Sequence, residues 1–143
     1  MAVDLVGKRL FLNAEDNNTT EVIDLAAGKL AHTITDVTEP KWVVYRPELH
    51  RLYIANGNGN VRVLDSDSFA TQRTIAFKEK ANNLRFDART GELFVGVGKK
   101  FGAIGVCRQW RRPLPDSRTA VLRRRRSTRL GGERAYRRLA RRG

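Results

Sequence analysis

Short runs of alternating apolar and polar residues fill the first three quarters of the chain, and turn-forming residues separate them. Runs of this length that are rich in β-branched and aromatic residues predict β-strands. The clearest set predicts four strands, at Trp42–Tyr45, Arg51–Ala55, Asn60–Leu64 and Thr71–Ile75. Asn-Gly pairs separate the second strand from the third and tolerate the positive φ of a tight hairpin, so we expect antiparallel neighbours.

The same pattern recurs at a spacing of 41 or 42 residues. Leu10-Phe11-Leu12 returns as Leu52-Tyr53-Ile54 and as Leu93-Phe94-Val95, and Val22-Ile23-Asp24 returns as Val63-Leu64-Asp65. Four strands in a repeat of this length are typical of one β-propeller blade. An ordinary sandwich is the alternative, but a sandwich requires no fixed period. The chain is therefore predicted to be all-β, a partial β-propeller of four-stranded antiparallel blades.

One tetrapeptide carries a family resemblance. Tyr53-Ile54-Ala55-Asn56 resembles the Tyr-Val-Thr-Asn signature of the YVTN β-propeller repeat proteins, and residues 1–106 are similar to that family throughout. The resemblance implies a seven-bladed propeller of the quinoprotein amine dehydrogenase-like class, often exported from bacterial cells, with mostly uncharacterised roles. This chain departs from the family by holding only about two and a half blades, so we expect a truncated fragment.

Localisation is not predicted by the chain itself. The N-terminus lacks a basic segment followed by an apolar one, so it is not expected to be a secretory signal. The resemblance implies that full-length relatives are periplasmic or extracellular. No run of about 18 apolar residues occurs, and no membrane span is predicted.

Charge divides the chain where the repeat stops. The net charge is +13, yet residues 1–106 hold 14 basic and 13 acidic residues, whereas residues 107–143 hold 14 basic and 2 acidic residues. All 14 basic residues of this C-terminal segment, the Arg-rich tail, are Arg. We expect the tail to be disordered or weakly helical and unrelated in sequence to the blades.

The repeat stops inside a predicted strand, where Cys107-Arg108 stands in place of an apolar residue and Asp. Domain boundaries normally fall in exposed linkers rather than within strands. If Arg108 and Arg111 use CGN codons, a one-base shift of the reading frame would encode small residues ending in Gly, like Ala26-Ala27-Gly28 of the first blade. We therefore hypothesise that residues 107–143 are a frameshift product and that the third blade lacks its outer strand. The alternative is a genuine basic tail that binds nucleic acid non-specifically through phosphates.

Residues suited to catalysis or cofactor binding are few. The motifs of zinc proteases, serine hydrolases, phosphate-binding loops and covalent haem attachment are absent from the sequence. No catalytic residue, metal site or cofactor is predicted, which favours a binding protein over an enzyme. An enzyme fragment, quinoprotein-like or lactonase-like, with its active site in missing blades is the alternative. His32 and His50 are expected to be solvated, and Asp24 and Asp65 to accept backbone hydrogen bonds at strand ends.

One neighbourhood is a candidate ligand site. The innermost strand of a propeller blade borders the central channel, and ligands favour such concave places. Lys41-Trp42 begins that strand in the second blade, and Asn82-Asn83 holds the matching place in the third. Lys41, Trp42, Asn82 and Asn83 are the predicted channel-mouth contacts to an unknown protein or small-molecule ligand. Alternatively, Trp42 packs between blades and the amides satisfy backbone groups.

The end blades of a partial propeller have no neighbour on one side. The sequence predicts that the faces carrying Leu10, Leu12, Tyr53, Val61 and Val63 are partly exposed. Apolar sheet faces and edges of this kind bind other chains. We therefore expect self-association through the open blade faces.

Overall fold

A computed structural model describes residues 1–98, 102–108 and 120–123, with the backbone alone for 108 and 120–123. These residues form three four-stranded antiparallel sheets, which we call blades 1, 2 and 3. Blade 1 contains β1 (Ala2–Asp4), β2 (Arg9–Ala14), β3 (Thr19–Asp24) and β4 (Lys29–Ile34). Blade 2 contains β5 (Pro40–Arg46), a short 3-10 helix (Pro47–Leu49), β6 (Arg51–Asn56), β7 (Asn60–Asp65) and β8 (Thr71–Ala76). Blade 3 contains β9 (Ala81–Asp87), β10 (Glu92–Val97), β11 (Ala103–Arg108) and β12 (Ala120–Arg123).

Each blade is a meander in which successive strands are hydrogen-bonded neighbours. The register repeats with the sequence: Tyr53 lies opposite Val63 in blade 2, and Phe94 lies opposite Val106 in blade 3. Neighbouring blades are closest at their first strands, since β5 lies against β1, β2 and β9. The first strands therefore form the inner side of a fan of blades, as in a propeller.

Two apolar clusters hold the blades together, one on each face of blade 2. Blade 2 contributes to both because successive residues of a strand point to opposite faces. Ile54 faces blade 1, whereas its neighbour Tyr53 faces blade 3. The first cluster, junction 1–2, contains Phe11, Val22, Ile34, Val37, Val43, Leu52, Ile54 and Leu64. The second cluster, junction 2–3, contains Tyr53, Ala55, Val61, Val63, Ala81, Leu84, Leu93, Val95 and Val97.

The recurrent Asp residues have the local role that the sequence predicts. Asp24 Oδ1 accepts hydrogen bonds from the backbone N–H groups of Ala26 and Ala27, at 2.8 and 3.0 Å. Asp65 Oδ1 accepts from the N–H groups of Asp67 and Ser68, at 3.0 and 2.9 Å. Both carboxylates therefore begin a turn at the end of the third strand of their blade.

Blade 3 differs from its prediction. β11 runs on through Cys107 and Arg108, so the point after Val106 at which the repeat stops lies inside a strand, as the sequence predicts. The expectation that blade 3 lacks an outer strand is wrong, because β12 pairs with β11 and completes a third four-stranded sheet. The physical reason is that the free edge of β11 offers unpaired N–H and C=O groups, which the short apolar run Ala120-Val121-Leu122 can pair. Of the tail, Cys107, Arg108 and residues 120–123 are described, and they lie in strands rather than in disordered or helical segments. The predicted frameshift origin and the disorder or weak helicity of the other tail residues concern residues outside those described.

The exposure of the end faces was predicted correctly for one blade only. Leu12 on the outer face of blade 1 is 39% exposed, and Leu10 is half-buried. Tyr53, Val61 and Val63 are instead buried, which corrects the prediction. They are buried because blade 3 forms a complete sheet and covers that face of blade 2.

Candidate functional site

The predicted channel-mouth residues lie where the inner strands begin. Lys41 and Asn82 are the second residues of β5 and β9, which are adjacent strands. The chain passes from one blade to the next on this side of the fan, and the turns between second and third strands lie there too. We call it the connection side.

Lys41 is engaged in ion pairs. Its ammonium group binds the carboxylate of Glu15, in the turn between β2 and β3, and lies 3.6 Å from Glu39. Glu39 also binds Lys80, with 2.9 Å between Oε2 and Nζ. The hydrogen bond to Glu15 raises the pKa of Lys41, and the hydrogen bond from Lys80 lowers the pKa of Glu39. Alternating charges thus link all three blades on the connection side.

Trp42 presents its ring to solvent on the inner strand of blade 2. The residue is 37% exposed, and the guanidinium carbon of Arg85 lies 4.7 Å from the ring centroid. Arg85 Nη1 also donates a 2.9 Å hydrogen bond to the carbonyl oxygen of Leu84. A guanidinium stacked on an indole face is a favourable cation–π arrangement. Trp42 and Arg85 therefore form one cationic platform across two adjacent blades.

The two amides differ. Asn82 Nδ2 donates a 3.2 Å hydrogen bond to the carbonyl oxygen of Gly98, which is the backbone role expected in the alternative interpretation. Asn83 is exposed, and its side chain lies over Gly96, where an added Cβ would clash with Asn83 Oδ1. Trp42 and Asn83 are thus open to a ligand, whereas Lys41 and Asn82 have partners inside the chain.

Sequence reasoning missed Arg85. Its signal is a break in the repeat: Arg85 holds the position that Val44 holds 41 residues earlier in blade 2. Val44 packs against junction 2–3, whereas Arg85 is exposed and reaches Trp42. A charged residue at an apolar repeat position marks a place where local chemistry departs from blade packing.

The other titratable side chains provide little for catalysis. Burial raises the pKa of Cys107 to about 11, so its thiol stays protonated at neutral pH. His32 stacks on Phe69 with 4.7 Å between ring centroids, and His50 Nδ1 lies 3.3 Å from Asp67 Oδ2. Both histidines are exposed, as predicted. Within the described part of the chain, no three His, Cys, Asp or Glu side chains group together as metal ligands.

A buried carboxylate lies at the opposite side of the fan. Asp4 is 3% exposed and accepts hydrogen bonds from the Gly7 backbone N–H at 2.9 Å and from Arg9 at 2.7 and 2.9 Å. Burial alone would raise the pKa of Asp4, but these hydrogen bonds outweigh it and lower the pKa. Arg9 also donates to Ser66 O at 2.8 Å and to Asp67 at 3.2 Å. This network ties blade 1 to blade 2.

No protein-family model and no curated protein matches the chain. Solved structures do. The chain is similar to Kuenenia stuttgartiensis hydrazine synthase at 18% identity and a TM-score of 0.67, over 73% of this chain and 30% of that one. It is also similar to the β-propeller domain of Myceliophteria thermophila Cps50 (Swd1), at 12% identity and a TM-score of 0.65, over 84% of this chain and 37% of that one. The fold is a partial β-propeller.

A third similar structure is Saccharomyces cerevisiae Sqt1, at 15% identity and a TM-score of 0.55, over 67% of this chain and 26% of that one. The match thus spans between 26% and 37% of the length of these three chains. At such identities the likeness shows the fold, and function has to be argued from the site. Within the described residues, no helix is long and apolar enough to cross a membrane.

Proposed function

We propose that the chain is a non-catalytic binding module of the β-propeller class. The observation that carries the proposal is the exposed Trp42 ring with the Arg85 guanidinium stacked on it, on adjacent inner strands. Exposed aromatic and Arg side chains are the types that contribute most to recognition surfaces. Two blades have to pack together before this platform exists, so the fold itself assembles the site.

The chemical groups of the platform indicate which class of ligand it would bind. A guanidinium held over an aromatic ring offers planar N–H donors that suit a carboxylate or phosphate. The indole face beside it accepts an apolar stem, and the exposed Asn83 amide offers a donor and an acceptor. The ligand that fits best is a peptide segment or small molecule with one anionic group next to an apolar one.

The proposal extends to the origin of the chain. Tyr53-Ile54-Ala55-Asn56 lies wholly within β6 and is buried, which supports its interpretation as a YVTN-type blade signature. The outer faces of blades 1 and 3 expose apolar side chains such as Leu12 and Ile104, which supports a truncated propeller. We include in the proposal a bacterial, exported parent of the quinoprotein amine dehydrogenase-like class.

A peptide selection tests the binding function. Random heptapeptides displayed on phage are selected on the immobilised chain in 0.5 M NaCl, which screens the tail, and the affinity of each selected peptide is then measured. We expect Trp42→Ala and Arg85→Ala each to weaken binding by about tenfold or more, because each removes half of the platform. Arg89→Ala is the matched control, since Arg89 is exposed in the turn after β9, at the far side of the fan. Peptides that bind all three variants like the wild type would contradict the proposal.

A further inference from the structure

The two outer faces of the fan keep the apolar positions of the interior junctions, with a difference at Arg85, which stands on the blade 3 face where Val44 stands in blade 2 and has Trp42 as its partner. Leu52, Ile54 and Leu64 bury one face of blade 2 against blade 1. The same repeat positions in blade 1 hold Leu10, Leu12 and Ile23, since Leu10 pairs with Ile23 as Leu52 pairs with Leu64. Blade 1 therefore presents outward the kind of face that blade 2 buries.

Blade 3 presents the complementary face. Tyr53, Val61 and Val63 bury the second face of blade 2 against blade 3. Their counterparts in blade 3 are Phe94, Ile104 and Val106, because Gly96 pairs with Ile104 as Ala55 pairs with Val61. Ile104 is 51% exposed, whereas Val61 is fully buried. One chain thus carries both halves of a third junction, at opposite ends of the fan.

We infer that a second copy of this chain packs head-to-tail on the first, the outer face of blade 1 in each copy covering the outer face of blade 3 in the other. The inferred junctions continue the two that the structure already contains, with the same strand positions and the same order of faces. Propellers contain roughly four to eight blades. Two copies supply six blades, a number within this range, and a heterologous contact of this kind forms a closed ring when its rotation completes a circle.

The single acidic residue among the strand positions of the blade 1 face is compatible with burial. Glu21 accepts hydrogen bonds from the hydroxyls of Thr19 and Thr33, at 2.7 and 2.6 Å. The matching position in blade 2 is Arg62, which is paired with Asp36 at junction 1–2. A charged group at this position is therefore accommodated in a junction when it has partners, and Glu21 already has them within its own blade.

Sedimentation velocity of the full chain tests the inference. The experiment uses nuclease-treated protein in 0.5 M NaCl over a hundredfold concentration range, so that the Arg-rich tail neither holds nucleic acid nor drives association. The expected species has twice the 16.2 kDa mass of the chain and does not grow further with concentration. A monomer throughout, or a polymer that lengthens with concentration, would overturn the closed pair.

Two variants test which faces meet. Leu12→Arg charges the blade 1 face and Ile104→Arg the blade 3 face, and both side chains are exposed in the single copy. Each variant is expected to raise the dissociation constant about 100-fold or more, because an unpaired guanidinium would enter both junctions. Val6 is 94% exposed and lies in the turn after β1, outside the strands of the face, so Val6→Arg adds the same charge there and should leave the pair intact.

The set of variants that weaken the pair shows which faces meet. A face-to-face pair would respond to only one of the two charged variants, and non-specific association would respond to neither or to Val6→Arg as well. Either result overturns the head-to-tail assembly. Circular dichroism of each variant confirms that the blades stay folded, and a variant that unfolds is replaced by Val3→Arg or Val106→Arg on the same face.

Discussion

The two junctions between blades occupy equivalent repeat positions and differ in chemistry. Junction 1–2 combines its apolar cluster with polar links: Arg9 of blade 1 reaches Ser66 O and Asp67 of blade 2. Junction 2–3 combines its apolar cluster with the Lys80–Glu39 ion pair at the connection side and the Arg85–Trp42 contact between the inner strands. The repeat thus fixes which positions are buried, while individual residues decide whether charged groups also fasten a junction.

One pair of positions shows the difference directly. At junction 1–2, Arg62 forms an ion pair with Asp36 of the connection that follows blade 1. The same two positions at junction 2–3 hold Phe77, which is 41 residues after Asp36, and Gly105, which pairs with Val95 as Arg62 pairs with Ile54. The Phe77 ring lies where a Cβ of Gly105 would be. An ion pair and an aromatic ring on glycine therefore fill the same space between blades.

Truncation of a buried side chain in either apolar cluster should lower the free energy of unfolding more than the other changes do. The loss should be similar at the two junctions. Phe11 and Leu84 are fully buried, one in each cluster. We expect Phe11→Ala to lower the free energy of unfolding by about 3–5 kcal/mol and Leu84→Ala by about 2–5 kcal/mol, from lost burial and the remaining cavity. Urea unfolding measures both. A loss below about 1 kcal/mol for either variant would show that its junction does not contribute to the cooperative fold.

Loss of the Arg9 network should affect junction 1–2 alone. Arg9→Ala leaves the buried Asp4 carboxylate with the Gly7 N–H and the Tyr45 hydroxyl, and it removes the links to Ser66 and Asp67. We expect a loss of about 2–3 kcal/mol, because hydrogen bonds to charged groups are the stronger ones. Arg9→Lys, which keeps the charge without the bidentate geometry, should recover part of the loss. Equal losses for both variants would mean that the geometry, and not the charge, holds the blades.

Much of the fold follows from the sequence because alternation and period specify it together. The four strands predicted in blade 2 begin and end within two residues of β5, β6, β7 and β8. β12 was not predicted, because its four residues are flanked by Arg residues and lie outside the repeat register. The contact of Arg85 with Trp42 was not predicted, because the two residues belong to different blades and contacts between blades depend on a packing that no local pattern encodes. The channel-mouth function stays a prediction.

Acid should weaken junction 1–2 through Asp4. The pKa of this carboxyl is lowered in the folded chain, so its contribution to stability is complete above the ordinary value of 3.8 and is lost as the pH falls through that value towards the folded pKa. Other carboxylates shift the same way, so the informative quantity is the difference in unfolding free energy between the wild type and Asp4→Asn. This difference should shrink between pH 6 and pH 3. A difference that stays constant would show that Asp4 acts through shape rather than charge.

The smallest effect concerns a backbone strain at junction 1–2. Phe69 has φ 58°, a left-handed conformation, and ends a turn in which Gly28 occupies the matching place of blade 1 with φ 65°. Such a conformation disfavours a bulky side chain by about 1–2 kcal/mol. The Phe69 ring stacks on His32 of β4 and packs against the first cluster, which offsets the strain.

Two substitutions separate these opposing contributions. Phe69→Gly removes both the strain and the contact, so we expect a change within about 1 kcal/mol of the wild type. Phe69→Ala removes the contact and keeps the left-handed backbone, so it should be the less stable of the two by about 1 kcal/mol. Thermal unfolding of the two variants side by side measures that order. If Phe69→Ala were as stable as Phe69→Gly, the turn would carry no strain, and the stacking on His32 would be a consequence of the blade packing rather than the contact that holds the turn in place.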